Sequence, residues 1–291
     1  MSNSLLLEIE KQYDKLSKSH KKIADYILNN YDKAAFYTAA KLGKVTNISE
    51  STVVRFATCL GFQGYPEFQE AFKKAVIAKL TSMQRMEVAS FQMKDEDILT
   101  KVLTRDVSAI KDTLHDISRK DFEGASAAIN SASKIYILGV RSCAPLASFI
   151  YFYLKMVYDN VVLINSASSS EMFEQIFKIT KDDICIALSF PRYSKQVVKT
   201  LHYVHDRGAR IVAITDSDEA PIAHISDYIL TAKSNMASFV DSLVAPLSLV
   251  NALMVSATAN KRAEVEERFN ELEKVWEKYD VYETQEDMIN E

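Results

Sequence analysis

The sequence predicts an all-α domain followed by an α/β domain with a five-stranded parallel sheet. In residues 1–80, apolar side chains recur at the three- and four-residue spacing of helices. After residue 133 come five short and nearly continuous apolar runs, most of them separated by longer helical patterns. Such runs are typical of parallel strands that helices cover on both faces. A chain of 291 residues is long enough for two domains of ordinary size.

The composition is that of an ordinary globular protein, with 48% hydrophobic and 25% charged residues. Residues 1–15 lack the pattern of a signal peptide, and no apolar stretch reaches the roughly 18 residues of a membrane span. The three cysteines, Cys59, Cys143 and Cys185, are scattered and form no C-x-x-C pair. We therefore expect a cytoplasmic protein without a disulfide framework, a metal site or another cofactor.

Charge is divided unevenly along the chain. Residues 1–80 contain 12 basic and 8 acidic side chains, whereas residues 81–291 contain 23 basic and 31 acidic ones. A phosphate-binding module joined to a soluble domain is expected to show this contrast. The distribution favours a nucleic-acid partner for the first part, although many unrelated domains carry a similar charge.

Residues 38–61 predict a helix, a tight turn and a second helix. The first helix, over 38–45, turns three apolar residues inward: Ala39, Leu42 and Val45. Residues 46–48 form the turn. Ser49 is a strong N-cap for the second helix, and Gly61 suits the positive φ expected at its end.

The second helix of this pair has a buried and an exposed face. Its apolar residues fall at positions i, i+3, i+4 and i+7 and must face the core: Val53, Phe56, Ala57 and Leu60. The exposed face of its first turns presents Glu50, Ser51, Thr52 and Arg55. Arginine pairs with guanine edges or phosphates, and serine and threonine hydroxyls bind either. This is the arrangement of helix-turn-helix DNA-binding units, although a small helical bundle has the same spacing.

The run ISESTVVRFATCLGFQGYPEF, which begins at Ile48, resembles the N-terminal domain of the RpiR/MurR-type regulators. In that family a Ser-x-x-Thr-x-x-Arg-Phe recognition helix is followed by Leu-Gly-Phe, Gly-Tyr and a short final helix. The resemblance covers nearly all of residues 1–77. It implies that the recognition helix contacts DNA through Ser51, Thr52 and Arg55. It also implies phosphate contacts from two preceding lysines, Lys41 and Lys44. We interpret Tyr65 and Phe68 as core residues.

These patterns predict three segments. Residues 1–77 form the helix-turn-helix domain. Residues 78–106 form a linker, in which periodicity weakens, and the start of a connecting helix. Residues 107–291 form the α/β domain with its C-terminal helices. The long helices expected outside the sheet lie at 98–117, 237–260 and 261–279.

The five predicted strands lie at 134–140, 161–165, 183–189, 210–215 and 227–231. In an open parallel sheet, a ligand sits beyond the carboxyl ends of the strands, where the strand order changes direction. If the order is 2-1-3-4-5, that point lies between the first and third strands. Two loops, over 139–143 and 189–195, then meet there. Because each loop leads into a helix, backbone N–H groups and the helix dipole favour an anion.

The two loops carry hydroxyl and guanidinium groups that suit an anionic ligand: Arg141, Ser142, Ser189, Arg192 and Ser194. The hydroxyls can add hydrogen bonds, and the arginines positive charge. Simpler roles remain open, since Ser194 suits the N-cap of its helix and Pro145 the first helical position. Surface arginines, moreover, are usually solvated.

Residues 107–260 resemble a sugar isomerase (SIS) domain, which accompanies this helix-turn-helix domain in the same regulators. KIYILGVRSC, DDICIALSF and HDRGARIVAITDS carry the resemblance, which implies a doubly wound, SIS-like sheet. Three serines match the family's phosphosugar-contacting hydroxyls: Ser142, Ser189 and Ser194. Arg141 stands where many members have glycine, and Ser-Phe-Pro-Arg-Tyr-Ser replaces the commoner Ser-x-Ser-Gly-x-Thr. Pro191 has no N–H, so this loop offers fewer backbone donors for a phosphate, and Arg192 adds a cation. The resemblance therefore implies a small, sugar-derived anion, either a phosphosugar or a sugar acid.

The sequence offers no convincing catalytic constellation. Isomerisation of a sugar phosphate needs a carboxylate or histidine base. Glu171 belongs to Ser168-x-x-Glu171, the pattern of a helix capping box, and Asp216 and Asp241 have no evident partner. His202 and His205 share a polar helix face, which is more typical of solvated side chains than of a metal pair. We therefore expect no catalytic residue and no enzyme activity.

The sequence favours a ligand-responsive transcription regulator. Its expected partners are double-stranded DNA with a palindromic operator and a small anionic effector. The apolar helices at 98–117 and 237–279 offer more hydrophobic surface than one domain needs, which predicts a homodimer or higher homo-oligomer. Two alternatives remain: a sugar-phosphate isomerase with an accessory helical domain, and a DNA-binding protein whose α/β domain only oligomerises.

Overall fold

A computed structural model of the chain describes residues 4–77, 80–92, 97–166, 168–236, 239–259 and 261–282. The chain divides into two compact units. The helical unit consists of residues 1–108 and 234–242, and the α/β unit of residues 109–233 and 243–291. Within the described ranges, no helix is both long and apolar enough to cross a membrane.

The helical unit is built from amphipathic helices whose apolar faces meet in one core. Its described helices are α1 (Ser4–Gln12), α2 (Lys18–Asn29), α3 (Tyr31–Ala34), α4 (Ala39–Thr46), α5 (Glu50–Cys59), α6 (Tyr65–Ile77) and α7 (Ser82–Gln92). Helix α8 (Ile98–Asp116) begins in this unit and ends in the α/β unit. The fully buried core side chains include Ile23, Ile27, Leu42, Phe56 and Phe68. The all-α prediction for this part of the chain is confirmed.

Helix α7 lies within the segment predicted as a linker. Arg85, Val88 and Ala89 of this helix are buried, and Val88 belongs to the core of the helical unit. The apolar stripe of α7 is weak, since the most fully buried of its described side chains is that of Arg85. A helix that buries a charged side chain shows no clear hydrophobic periodicity, so the sequence pattern did not predict α7.

The α/β unit contains a parallel sheet of five strands, as predicted. The strand order is β2-β1-β3-β4-β5, which is the order that the sequence analysis took as a condition for the position of the ligand site. The strands are β1 (Ile135–Leu138), β2 (Val161–Ile164), β3 (Ile184–Leu188), β4 (Arg210–Thr215) and β5 (Tyr228–Thr231). The helices are α9 (Arg119–Ser131), α10 (Ala144–Val157), α11 (Ser169–Ile176), α12 (Lys195–Asp206), α13 (Val244–Ala259) and α14 (Arg262–Lys278). Strand β1 pairs with both β2 and β3, so that Leu138 lies opposite Ile164 on one side and Ala187 on the other.

Each face of the sheet has its own core, because successive side chains of a strand point to opposite faces. Ile135 and Ile137 of β1 belong to the core that includes residues of α9, α10 and α13. Tyr136 and Leu138 belong to the core that includes residues of α11 and α12. Burial on both faces explains the nearly continuous apolar strands of the sequence.

The helix predicted over 237–260 begins later, at Val244. Residues 234–242 belong instead to the helical unit, where Met236 lies in the core and forms an isolated antiparallel bridge with Asp241. Residues 237 and 238 lie outside the described residues. Apolar composition extended the prediction through this segment, but Ser242 donates its backbone N–H to Asn235 rather than to a helical turn.

The predicted capping box at Ser168 and Glu171 is also wrong. Ser168 does occupy the N-cap position of α11, but its side chain makes no capping hydrogen bond. Its hydroxyl lies 2.9 Å from that of Ser170, and Glu171 accepts a hydrogen bond from Ser166. The hydroxyl of Ser166 also accepts from the backbone N–H of Ser168, so it takes the role that the box assigns to the carboxylate of Glu171.

Candidate functional site

The predicted helix, turn and helix are formed by α4, residues 47–49 and α5. Thr38 caps α4 by accepting the backbone N–H of Lys41 at 3.2 Å. The turn passes through Asn47, which has a φ of 55°, a conformation that asparagine tolerates better than most residues. Ile48 then donates its N–H to the carbonyl of Gly43 at 2.8 Å, which closes the turn against the first helix.

Gly43 sets the distance between α4 and α5, and sequence reasoning missed it. A Cβ at this position would lie 2.6 Å from the carbonyl oxygen of Ile48 and 3.4 Å from the backbone nitrogen of Glu50. The buried face of α4 therefore consists of Ala39, Leu42 and Gly43, and the predicted inward position of Val45 is wrong, since Val45 is 37% exposed. At Gly43 the backbone of residues 48–50 packs directly against α4, in the space that a side chain would need.

Helix α5 has the predicted cap and the predicted buried face. Ser49 accepts the backbone N–H of Thr52 at 3.4 Å, and Gly61 has a φ of 94°. Val53, Phe56 and Ala57 are fully buried. The aromatic residues that follow are also core, as predicted, and the Tyr65 hydroxyl donates to the carbonyl of Tyr37 at 2.7 Å.

The exposed face of α5 brings the predicted DNA-reading side chains together. Ser51 and Arg55 are exposed and Thr52 is half-buried. The hydroxyl of Thr52 lies 2.8 Å from that of Ser49 and accepts a hydrogen bond from Arg55 Nη2 at 3.2 Å. Thr52 therefore holds the guanidinium of Arg55 on the first two turns of the helix. Lys41 and Lys44 of α4 are exposed.

His20 is a neighbour of this surface that sequence reasoning missed. It lies at the start of α2, with its ring edge-to-face on Phe56 at a centroid distance of 5.6 Å. Burial, and then the positive charge of Arg55, lower the pKa of His20. The only local signal is the N-cap pattern, because Ser17 accepts the backbone N–H of His20 at 3.3 Å. No spacing rule places the histidine beside α5.

The second group of candidates lies at the carboxyl ends of β1 and β3, which are neighbours in the sheet. The strand order changes direction between these two strands, as predicted. A loop leads from β1 through a short 3-10 turn, Arg141–Cys143, into α10, and another leads from β3 into α12. Both loops therefore begin at the same edge of the sheet and end at a helix N-terminus.

The loop after β1 is tightly packed against its own helix. Gly139 donates its N–H to the carbonyl of Ile164 at 3.1 Å. A Cβ on Gly139 would lie 2.7 Å from the Cβ of Ala147 and 3.0 Å from the carbonyl oxygen of Cys143. Arg141 has a φ of 57°, and both Arg141 and Ser142 are exposed. Pro145 occupies the first turn of α10, as expected.

The loop after β3 is anchored at Ser189 and open beyond it. Ser189 is buried, donates its N–H to Ile214 at 3.1 Å, and accepts at its carbonyl the hydroxyl of Thr215 at 2.6 Å. Arg192 is exposed and has a φ of 67°. Ser194 is the N-cap residue of α12, but its side chain makes no capping hydrogen bond. The simpler capping role considered for the Ser194 hydroxyl is therefore absent.

Tyr193 and Asp216 form a contact at this edge that the sequence did not reveal. The Tyr193 hydroxyl donates to Asp216 Oδ1 at 2.8 Å, which joins the loop after β3 to the end of β4. Burial, and then the negative charge of Asp216, raise the pKa of the Tyr193 phenol, so it stays protonated and able to donate. Asp216, which had no evident partner in the sequence, thus holds the loop in place.

The other carboxylates considered for catalysis also have partners. Asp241 receives two hydrogen bonds from Arg85, at 2.8 and 2.9 Å, and Glu171 accepts from Ser166. His202 and His205 are exposed. In the part of the chain that the structure describes, no three metal-ligating side chains cluster in a way that could hold an ion.

Comparison with known families divides the chain in the same order as the fold. Residues 3–79 match the helix-turn-helix domain of the rpiR family, and residues 128–256 match the SIS domain. An HTH-type transcriptional regulator of Haemophilus influenzae is 27% identical over 231 residues, which are 79% of this chain and 80% of that protein. The HTH-type transcriptional regulator HexR of Escherichia coli is 22% identical over 233 residues, or 78% and 77% of the two chains.

Two solved structures share the fold. The sugar isomerase domain of an RpiR transcription factor from Sphaerobacter thermophilus superimposes with a TM-score of 0.58 at 23% identity, covering 62% of this chain and 99% of that one. The NanR protein of Vibrio vulnificus, complexed with ManNAc-6P, superimposes with a TM-score of 0.57 at 22% identity, covering 94% and 97%. Both similarities concern the fold, and the resemblances found in the sequence are confirmed.

Proposed function

Because this chain belongs to the rpiR-type helix-turn-helix regulators that carry a SIS domain, we propose that it binds an operator through α5 and that a sugar-derived anion modulates this binding. The domain limits of the proposal are 1–77 for DNA binding, 78–106 for the connection and 107–291 for ligand binding. The observation that carries it is the capped helix α5, which presents Ser51, Thr52 and Arg55 on one face.

In this proposal, Arg55 reads a base edge and the lysines of α4 position the protein on phosphates. Arg55→Ala should weaken operator binding by about 1–3 kcal/mol, because a guanidinium that pairs with a base edge contributes about that much. Lys74→Ala removes the same charge from α6, outside α4 and α5, and should change affinity far less. The measurement is a gel-shift titration at fixed salt. An Arg55→Ala protein with wild-type affinity contradicts the assignment.

The proposed effector site is the edge of the sheet between β1 and β3, with Arg141, Ser142, Ser189, Arg192 and Ser194 as contacts. The uncapped Ser194 hydroxyl and the two helix N-termini support it, since both features suit an anion. The ManNAc-6P complex of the Vibrio vulnificus protein supports a phosphosugar, because that protein shares this fold.

A thermal-shift screen of sugar phosphates, sugar acids and nucleotides tests this site. Removing a hydroxyl bonded to a charged ligand costs about 1.5–3 kcal/mol, so Ser189→Ala and Ser194→Ala should each weaken binding about tenfold or more. Ser248→Ala is a suitable control, since its exposed hydroxyl bonds only its own helix α13 at the carbonyl of Val244. Ser189 and Ser194 variants that keep the wild-type shift contradict the site but leave the DNA-binding proposal intact.

We propose binding without turnover, because Asp216, Asp241 and Glu171 are all engaged by neighbouring side chains. An isomerase would interconvert aldose and ketose phosphates, and an NMR time course with bound ligand would detect this. We also propose self-association, since Leu99, Leu103 and Leu114 of α8 are more than half exposed. A dimer then implies a palindromic operator with half-sites about 10 bp apart or a multiple of that. A monomer by light scattering contradicts the dimer.

A further inference from the structure

His20 is held in place by ring packing against α5. It lies in the first turn of α2, where its backbone N–H donates to the hydroxyl of the cap residue Ser17 at 3.3 Å. Its half-buried ring meets Phe56 of α5 edge-to-face at a centroid distance of 5.6 Å. Phe56 is fully buried and directly follows Arg55 in the chain. The imidazole therefore has a fixed position beside α5, next to the residue that follows Arg55.

The imidazole of His20 and the guanidinium of Arg55 are electrostatic neighbours. Arg55 Nη2 donates to the hydroxyl of Thr52 at 3.2 Å, which keeps the guanidinium on the first two turns of α5. The positive charge of Arg55 lowers the pKa of His20, in addition to the larger effect of burial. A proton on His20 thus creates two neighbouring cations, which repel each other. An anion close to both removes this repulsion and favours the protonated imidazole.

Within the described residues, no carboxylate forms an ion pair with His20 or Arg55. Helix α2 packs against α1, α3, α4 and α5, and Arg55 is the charged group of these described helices that acts on His20. On α2 itself, Asp25 accepts the Tyr13 hydroxyl at 2.7 Å, and Lys21 lies over the Tyr13 ring at 5.0 Å. The positive charge beside α5 is therefore available to an anion from outside the chain.

The beginning of α2 adds further positive charge. Lys18 and Lys22 are both exposed, and the first turn of the helix has no acidic residue. The two lysines are like charges at positions i and i+4, a pair that destabilises a helix. Cations are also unfavourable at the positive end of the helix dipole. Both costs are offset by a polyanionic partner, and in helix-turn-helix complexes a helix beside the recognition helix crosses the DNA backbone.

We propose that the DNA-binding surface extends from α5 onto the first turn of α2, where His20 binds a backbone phosphate beside the base that Arg55 reads. The phosphate removes the repulsion between the two side chains, so DNA binding is accompanied by uptake of a proton on His20. A phosphate contact of this kind fixes the register of α5 on the duplex and carries no sequence information itself. This inference rests on the proposed function, in which α5 binds DNA.

The salt dependence of DNA binding tests this contact. Fluorescence anisotropy of the full-length chain with a labelled duplex of mixed sequence suffices, because a phosphate contact does not depend on sequence. At about pH 5.5, below the ordinary histidine pKa of 6.5, the slope of log affinity against log salt should be steeper than at about pH 8. The expected difference is about 0.9, because one further phosphate is neutralised. His20→Gln should show the shallower slope at both pH values, and His20→Lys the steeper slope at both.

His205→Gln is the matched control, because His205 is exposed on α12 of the α/β unit and its loss should leave the pH dependence unchanged. A substitution that only loosens the packing on Phe56 weakens binding at both pH values and keeps the difference in slope. A wild-type slope that does not change with pH overturns the inference, and so does a His20→Gln protein that keeps the difference. Both outcomes leave DNA binding by α5 intact, whereas a wild-type chain that binds the duplex at neither pH counts against the proposed function as well.

Discussion

The helical unit and the α/β unit build their candidate sites over very different distances along the chain. On α4 and α5, the hydrogen bonds that shape the exposed surface join residues at most five positions apart: Ser49 with Thr52, Arg55 with Thr52, and Ile48 with Gly43. At the sheet edge, the loop after β3 is held by partners further away, 23 positions from Tyr193 to Asp216 and 26 from Ser189 to Thr215. The exposed face of a helix can therefore be predicted from the spacing of nearby residues. The position of a crevice between two loops depends in addition on the strand order.

The ion pair between Arg85 and Asp241 joins distant positions within the helical unit, and its loss should give the largest effect. These residues are 156 positions apart and form a two-bond ion pair with side-chain exposures of 2% and 16%. Asp241→Ala should destabilise the helical unit by about 3–5 kcal/mol, because it leaves a buried guanidinium without its counter-ion. Hydrogen exchange followed by mass spectrometry should show faster exchange in peptides of α1–α7.

Glu87→Ala is the matched control for this prediction. Glu87 lies 3.9 Å from Lys33, both side chains are more than half exposed, and such pairs contribute about 0–1 kcal/mol. If Asp241→Ala leaves hydrogen exchange in the helical unit unchanged, the segment 234–242 does not stabilise that unit. The helical unit would then depend less on distant contacts than the loops at the sheet edge do.

Two glycines allow a direct comparison of the sites, with an intermediate effect. An added Cβ would lie 2.6 Å from Ile48 at Gly43 and 2.7 Å from Ala147 at Gly139. Each alanine variant should cost about 1–3 kcal/mol through overpacking. Gly43→Ala should impair DNA binding in a gel shift while the ligand-induced thermal shift persists. Gly139→Ala should do the reverse.

Gly64→Ala provides the reference for this pair, because the nearest atom to its added Cβ is 3.7 Å away. It should change neither readout appreciably. Loss of both activities in both glycine variants would show that the two sites are not separable, which would undo the comparison.

The smallest expected effect is a difference in how the two units respond to acid. His20 has a lowered pKa in the folded chain, so near its ordinary value of 6.5 the unfolded state binds more protons. The stability of the helical unit should therefore decrease as the pH falls through this range. Asp116 of the α/β unit has a pKa lowered to about 2, mainly by hydrogen bonds from His115 and Lys233. Its contribution is present above pH 3.8 and is lost as the pH falls towards 2.

Unit-resolved hydrogen exchange between pH 5.5 and 7.5 measures the first contribution, with His20→Gln as the variant that removes it. Acid titration of the circular dichroism signal below pH 4 measures the second, with Asp116→Asn as its variant. A helical unit whose stability does not change with pH in the wild type, or changes equally in His20→Gln, contradicts the role given to His20.

The sequence by itself determined the features that depend on near neighbours. Caps at Ser49 and Thr38, the buried face of α5 and the five apolar strands all follow from spacing or residue type within a few positions. The strand order entered only as a condition, because the apolar runs do not show which strands pair. With that order, the sequence located the two loops of the proposed effector site, and spacing alone located the exposed face of α5.

Only the tertiary structure decided which distant groups meet. Arg85 lies in a stretch of Met, Gln and Ser and resembles a solvated arginine, and Asp241 lies in a segment that resembles a helix. Their pairing depends on where residues 234–242 run, which no periodic pattern encodes. The left-handed φ of Arg141 and Arg192 likewise cannot be read from their type, since arginine argues against it. Local patterns report which side of an element is buried, whereas ion pairs and strained turns are imposed by the packing around them.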